Sequence, residues 1–147
     1  MEVRLIESDK KDFLPLLMLA DEQEDMIDKY LERGDLFALF DDGLKSICVV
    51  TDEGDGNFEL QNLATDERFW RQGYARHLVK YICEHYSGVC RILHVGTGAD
   101  SETEDFYKKC GFTASHRIKN FFVDNYVNPI YENGVQIFDK IYMTKRL

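Results

Sequence analysis

Apolar residues recur along the chain in two alternating rhythms, and the changes between them mark the elements. Val3–Ile6 is short and apolar enough for an opening strand. The run from Asp12 to Ala20 predicts a helix, with Asp12 as N-cap and Pro15 in the first turn, where its missing N–H costs nothing. A second helix is expected from Asp21 to Arg33. Met26 and Tyr30, and Ile27 and Leu31, share faces at i,i+4, and Gly34 is expected to stop it. Leu36–Asp41 and Lys45–Thr51 flank Asp42-Gly43, a hairpin signal. Phe58–Thr65 reads as the next strand and Tyr74–Tyr86 as a helix with Leu78/Ile82 and Val79/Cys83 stacked. Arg91–Val95 reads as a strand running into Gly96-Thr97-Gly98. Ser101 and Glu104 have capping-box spacing and open a short helix that stops at Gly111. Thr113–Phe122 and Val135–Thr144 are expected as the last strands, with Asp124–Gly134 irregular between them. The order β-α-α-β-β-β-α-β-α-β-β predicts a mixed α/β sandwich with many antiparallel neighbours, built as one domain over residues 1–147.

Composition narrows the class. At 44% hydrophobic and 13% aromatic, the 147 residues can build a sizeable core. No stretch approaches the roughly 20 apolar residues of a membrane helix, and the charged start MEVRLIESDKKD does not read as a signal peptide, so a cytoplasmic protein is expected. Cys48, Cys83, Cys90 and Cys110 form no CxxC pair and sit in apolar runs, as small core residues in a reducing compartment do. The four histidines form no HExxH pair, and no metal site is readable. The net charge of −9 argues against nucleic acid and anionic membrane as partners, because both need a basic face. It leans towards a cationic or neutral small molecule. Against that balance, Arg68, Arg71, Arg76 and Lys80 cluster within one short segment.

That segment carries the chemistry. A strand, Glu59–Thr65, leads through Arg71-Gln72-Gly73-Tyr74-Ala75 into a helix. A helix N-terminus offers unpaired N–H groups and the positive end of its dipole. Gly73 lets the backbone come close to a ligand and Ala75 keeps the next turn uncluttered. Together they make a pyrophosphate seat, to which Arg71 and Arg76 can add charge-assisted bonds. An ordinary strand-to-helix connection is the plainer alternative.

The stretch resembles the acetyl-CoA motif of the GNAT superfamily, Q/R-x-x-G-x-G/A. Gly73 and Ala75 match its last two fixed positions, and Trp70 departs from it where Gln or Arg is usual. Phe106-Tyr107-Lys108-Lys109-Cys110-Gly111-Phe112 is similar to a second signature of that superfamily, and the element order resembles it throughout. The resemblance implies a GNAT-like fold: a mostly antiparallel twisted sheet of six to seven strands, splayed between the fourth and fifth and flanked by about four helices. It implies acetyl-CoA as co-substrate and transfer to an amine of a small molecule or a protein. It implies that Tyr107 protonates the departing thiolate, which a phenol with a pKa of about 10 can do. Because Phe106 and Cys110 share one face of their helix, Tyr107 is expected to point elsewhere, towards the cofactor. Glu59, fourteen positions before Gly73, matches the glutamate that serves part of the superfamily as base. Leu63, Ala64 and Thr65 are expected to line the pantetheine arm, with the Leu63 N–H facing the thioester oxygen. Arg71, Gln72, Gly73, Tyr74, Ala75 and Arg76 form the pyrophosphate turn. The superfamily often forms homodimers.

A plainer role for Tyr107 is packing, and for Glu59 a charge on the wet face of a strand. Asp100 stands where many relatives carry a cofactor-binding asparagine, and that contact is not carried over. These departures keep a second function open, a non-catalytic acyl-CoA-binding partner. No GxxxxGK[ST] or GxGxxG motif supports a nucleotide hydrolase or dinucleotide enzyme. Acetyl-CoA at a hundred times its Kd is therefore expected to add about 2.7 kcal/mol of stability. That raises Tm by roughly 5–10 °C. A thermal shift series with acetyl-CoA, NAD and ATP checks it; NAD and ATP should leave Tm unmoved.

Overall fold

A computed structural model describes residues 1–147. The chain opens with strand β1 (Glu2–Ile6), a 3-10 turn (Lys10–Phe13), and helices α1 (Leu14–Ala20) and α2 (Glu24–Asp28). Strands β2 (Asp35–Phe40), β3 (Leu44–Gly54) and β4 (Asn57–Thr65) follow, then α3 (Tyr74–His85), β5 (Ile92–Gly98) and α4 (Glu102–Lys109). The C-terminal part holds β6 (Thr113–Ile118), α5 (Phe121–Asn125), β7 (Ile130–Glu132), β8 (Val135–Ile137) and β9 (Lys140–Arg146).

Seven strands form one sheet in the order β1-β2-β3-β4-β5-β9-β6, and only β4 and β5 run parallel. The fold class expected from the sequence is the one observed, with five α-helices rather than about four. One core cluster packs α3 and α4 on one face of the sheet through Leu78, Ile82, Leu93, Tyr107 and Met143. The other packs α1 and α2 on the opposite face through Leu17, Ile27, Leu31, Ile47 and Val49. No helix is long and apolar enough to cross a membrane.

The differences from the sequence reading have local causes. Asp12 lies inside the 3-10 turn, and Phe13 is the N-cap of α1; Pro15 does fall in its first turn. Helix α2 ends at Asp28 rather than Arg33, and Gly34 does not adopt the left-handed conformation of a helix stop. Instead the Lys10 ammonium, almost wholly buried, donates to the carbonyls of Leu31, Glu32 and Gly34 at 3.2, 3.2 and 2.7 Å. A distant cation thus satisfies the acceptors that the end of a helical segment leaves open. The strand expected over Thr113–Phe122 stops at Ile118, because Asn120 is left-handed and α5 starts at Phe121. The strand expected over Val135–Thr144 divides. Its first part pairs with β7 across Asn133-Gly134 as a separate hairpin, and its second joins the main sheet between β5 and β6. The Asp42-Gly43 hairpin forms as read, with positive φ at both residues.

Lys10→Met removes three charge-assisted bonds while keeping the aliphatic stem. It is expected to cost about 2–3 kcal/mol in urea unfolding.

Candidate active site

The two parallel strands part company. Pairing of β4 with β5 runs from Asn57/Ile92 to Leu60/Val95 and then stops, while β5 continues along β9 to Gly98/Lys140. The cause lies in β4. The β3–β4 register jumps from Val50/Leu60 to Val49/Asn62, leaving Gln61 as the extra residue of a β-bulge. A bulge bends its strand and raises its twist, and here it turns Gln61–Thr65 away from β5.

The backbone groups in this gap follow from the ladder. The Asp66 amide donates to the Lys45 carbonyl at 3.0 Å. Hydrogen-bonded and non-bonded pairs alternate in an antiparallel ladder. The Ser46/Thr65 and Cys48/Leu63 pairs are therefore non-bonded, and Leu63 and Thr65 turn their N–H and C=O groups away from β3 into the gap. Ala64 behaves oppositely: its backbone faces β3, its carbonyl also accepts from Ser46 Oγ, and its methyl packs in the α1 cluster. The Trp70 indole N–H donates to the Thr65 carbonyl at 2.8 Å, so the residue that departs from the sequence motif clips the turn to the end of β4.

Beyond the gap lies the turn. Arg71 and Gly73 are both left-handed, at φ 62° and 87°, and Gly73 is the N-cap of α3 with no side-chain cap. No backbone amide from Arg71 through Arg76 donates to a protein acceptor. A Cβ at Gly73 would meet nothing within 4 Å, so the approach to these amides is open. Arg71, Gln72 and Arg76 are exposed, and neither arginine is in an ion pair. The Tyr74 ring is buried and its hydroxyl donates to Asp41 at 2.8 Å, which anchors the first turn of α3 on the hairpin. Arg68 pairs with Asp66, and Asp100 with Arg117, both at the surface. The expected capping residue, Ser101, does accept from the Glu104 amide. The turn and gap together fit a long phosphorylated thioester: bare amides at one end, free strand-edge groups along the rest.

Tyr107 lies deeper than expected. Its ring is in the α3–α4 core cluster, edge-on to Phe106 and Phe112, whereas Phe106 and Cys110 are only partly buried. The face of α4 that meets the core is thus the Tyr107 face. Burial raises the phenol pKa well above its ordinary value, and the Cys110 and Cys48 thiols push it further in the same direction. Cys48, the β3 partner of Leu63, belongs to the same core cluster as the Tyr107 ring. The Tyr107 hydroxyl bonds to no protein group. Asn62 Oδ1 alone is a side-chain polar atom both buried and without a partner.

Glu59 sits on the other face. On β4, Phe58, Leu60 and Leu63 meet the α3 cluster, and Glu59 points the opposite way, level with His94 on β5. Its carboxyl is half-buried and makes no hydrogen bond. Desolvation raises its pKa, with the Lys140 ammonium pulling against that rise and Glu53 adding to it. The same face carries a network that the sequence did not signal. Asp21 accepts from Tyr30 and Tyr126 at 2.8 and 2.6 Å, and Asn62 Nδ2 donates to the Tyr30 hydroxyl and the Leu17 carbonyl. The Val127 amide donates to Gln23 Oε1. The α1–α2 connection and the segment after α5 are thereby joined beside the gap. No cluster of three or more His, Cys, Asp or Glu side chains is placed to hold a metal.

With this geometry in view, the comparisons are specific. The family model described as an acetyltransferase (GNAT) domain matches residues 32–114. The Bacillus subtilis (strain 168) protein named "Uncharacterized N-acetyltransferase YvbK" is 30% identical over 96% of this chain and 93% of its own length. A GNAT family acetyltransferase from Elizabethkingia anophelis, solved with acetyl-CoA bound, superposes with a TM-score of 0.91 at 31% identity, covering 99% of this chain and 97% of its own. A B. subtilis acetyltransferase in complex with CoA gives 0.89 at 30%, covering 99% and 98%.

The raised pKa of Glu59 fixes the sign of a stability effect. The folded state holds this proton more tightly than the unfolded chain, so stability falls as pH rises from the ordinary value of 4.5 through the folded value. Glu59→Gln is expected to be more stable than wild type at pH 7 and equal to it at pH 4. Urea midpoints at the two pH values read the difference.

Proposed function

Because the chain belongs to the GNAT acetyltransferase family, we propose that it transfers the acetyl group of acetyl-CoA to a primary amine by direct attack within a ternary complex. The observation that carries this is the unbroken run of partnerless amides from Arg71 to Arg76, next to a strand edge at Leu63 and the Thr65 N–H that no neighbouring strand pairs. The structural neighbours solved with acetyl-CoA and with CoA superpose over 99% of this chain.

In this reading the Arg71–Arg76 amides hold the pyrophosphate and the α3 dipole adds to them. Arg71 and Arg76 supply charge at the rim. The pantetheine arm pairs with the free edge at Leu63 and Thr65. The Leu63 N–H then meets the oxyanion that forms when the amine nitrogen attacks the thioester carbonyl. Glu59, on the far face, receives the proton of the amine directly or through water. The C–S bond breaks, the thiolate takes its proton from Tyr107, and the products are an acetamide and CoA. Burial holds the Tyr107 hydroxyl in its protonated form until the C–S bond breaks. All four thiols are free, and burial pushes each up in pKa, which suits core residues and not a covalent acyl carrier.

The test is release of free thiol from acetyl-CoA across a broad panel of primary amines. Acetyl-CoA binding with no release from any amine would favour the non-catalytic binder instead. Tyr107→Phe is expected to lower kcat about a hundredfold. It should leave the KM for acetyl-CoA within about threefold, since the hydroxyl acts after binding. Steady-state kinetics on the first active amine check both numbers.

A further inference from the structure

The face of the sheet that carries Glu59 also carries a cation in an unusual setting. On β9, Ile141 and Met143 point into the α3–α4 core, so Lys140 and Tyr142 point the other way, onto the Glu59 face. Lys140 pairs in register with Gly98 of β5, but its side chain does not leave the sheet. It lies back along β5 until Cε fills the space that a Cβ on Gly96 would need, with Nζ 3.1 Å from the same point. Any side chain at position 96 would displace it. The ammonium therefore reaches the level where β4 leaves β5, one residue past the final Leu60/Val95 pair.

Two rings hold it there. Nζ lies 4.3 Å from the centroid of Phe121 and 4.6 Å from that of Tyr142, and Tyr142 is stacked on His116. Lys140 makes no ion pair and no hydrogen bond. Glu59 feels its charge but does not touch it. In a chain with 27 acidic and 18 basic side chains, a half-buried lysine without a carboxylate is a cation kept free. Aromatic faces offset part of its desolvation, and they fix its position without neutralising it.

Building on the transferase reading above, we propose that the acceptor is a primary amine that also bears a carboxylate, and that Lys140 holds that carboxylate at the mouth of the gap. A single ammonium matches a monoanion. A phosphate would call for a second cation, and Arg33, the other cation that Glu59 senses, is engaged with Glu53 at 2.7 Å. The same charge disfavours a second ammonium on the acceptor. It also favours the neutral, attacking form of the amine. The local site thus opposes a cationic acceptor, towards which the net charge of −9 leans.

The experiment measures thiol release from acetyl-CoA with matched pairs: glycine, β-alanine, 4-aminobutyrate and phenylalanine, each beside its carboxamide, with putrescine as the dication. Wild type is expected to prefer the carboxylate member of the best pair by at least about tenfold in kcat/KM. Lys140→Met, which keeps the stem between the rings, should collapse that ratio by about tenfold or more, through KM. Lys140→Arg should keep most of the preference, and Lys140→Glu should reverse it; melting curves establish that each variant is folded. Should Lys140→Met not fold, the Arg and Glu pair carries the same comparison. Equal use of both members, a preference for carboxamides or putrescine, or an equal loss on both members in Lys140→Met overturns the acceptor assignment and leaves the transferase reading standing. Acetyl-CoA binding without release from any amine overturns the transferase reading itself, and this inference with it.

Discussion

One backbone irregularity governs the rest of this structure: the extra residue at Gln61. Parallel pairing between β4 and β5 is satisfied only as far as Leu60 and Val95. Past that point β5 keeps one neighbour, β9, and β4 keeps one neighbour, β3. The edge groups of Leu63 and Thr65 are left without a strand. Unpaired backbone groups in a protein interior cost free energy unless something satisfies them. A ligand of extended, backbone-like shape would satisfy those groups by completing the ladder. The turn through Gly73 and the exposed amides of α3 continue the same logic, since they too are donors waiting for acceptors.

The bulge also sorts side chains. Because Gln61 and Asn62 both face α1 and α2, Leu60 and Leu63 meet the α3 side although an even alternation would separate them. The phenol of Tyr107 and the carboxyl of Glu59 consequently flank the gap from opposite faces. The sheet itself keeps the phenol and the carboxyl apart, so neither can neutralise the other. Both are held at some cost. Glu59 is half-buried with no hydrogen bond, and the Tyr107 hydroxyl has no protein partner. Asn62 Oδ1 is buried and unsatisfied on the Glu59 face. Groups left unsatisfied at one place in an otherwise well-bonded fold are where function and stability pull in different directions.

The sequence was most legible where local chemistry decides the outcome. Asp42-Gly43, the Ser101/Glu104 cap and Gly73 at the head of α3 all act within a few residues, and each appears where read. The strand-versus-helix choice at Phe121 and the break at residues 138–139 were not legible. They depend on Asn120 turning left-handed and on β9 inserting between β5 and β6, which is a tertiary event. The end of α2 was hidden for the same reason: Lys10 acts on carbonyls more than twenty residues away. Within the candidate site, Gly73 was placed at the start of a helix by its local sequence. The burial of Tyr107 could not be read, because helical spacing gives relative faces and not which of them meets the sheet. Nothing local marks Lys140, whose role depends on Gly96 and on two rings brought in from α5 and β9.

Net charge is a property of the whole surface, and this chain separates it from the charge of the site. Most of its cations are exposed and several are spent on ion pairs with nearby carboxylates, as Arg4, Lys11, Arg68 and Lys108 are. The cations left free of such pairs include Arg71 and Arg76 at the turn and Lys140 at the mouth of the gap. An acidic exterior with unpaired cations at these points gives anionic ligands two local wells in a repulsive field. Selectivity then rests on short-range geometry rather than on long-range attraction. A ligand must reach the bare amides, or the caged ammonium, before it gains anything. That requirement favours molecules whose anionic groups are spaced to fit the gap over those that are merely charged.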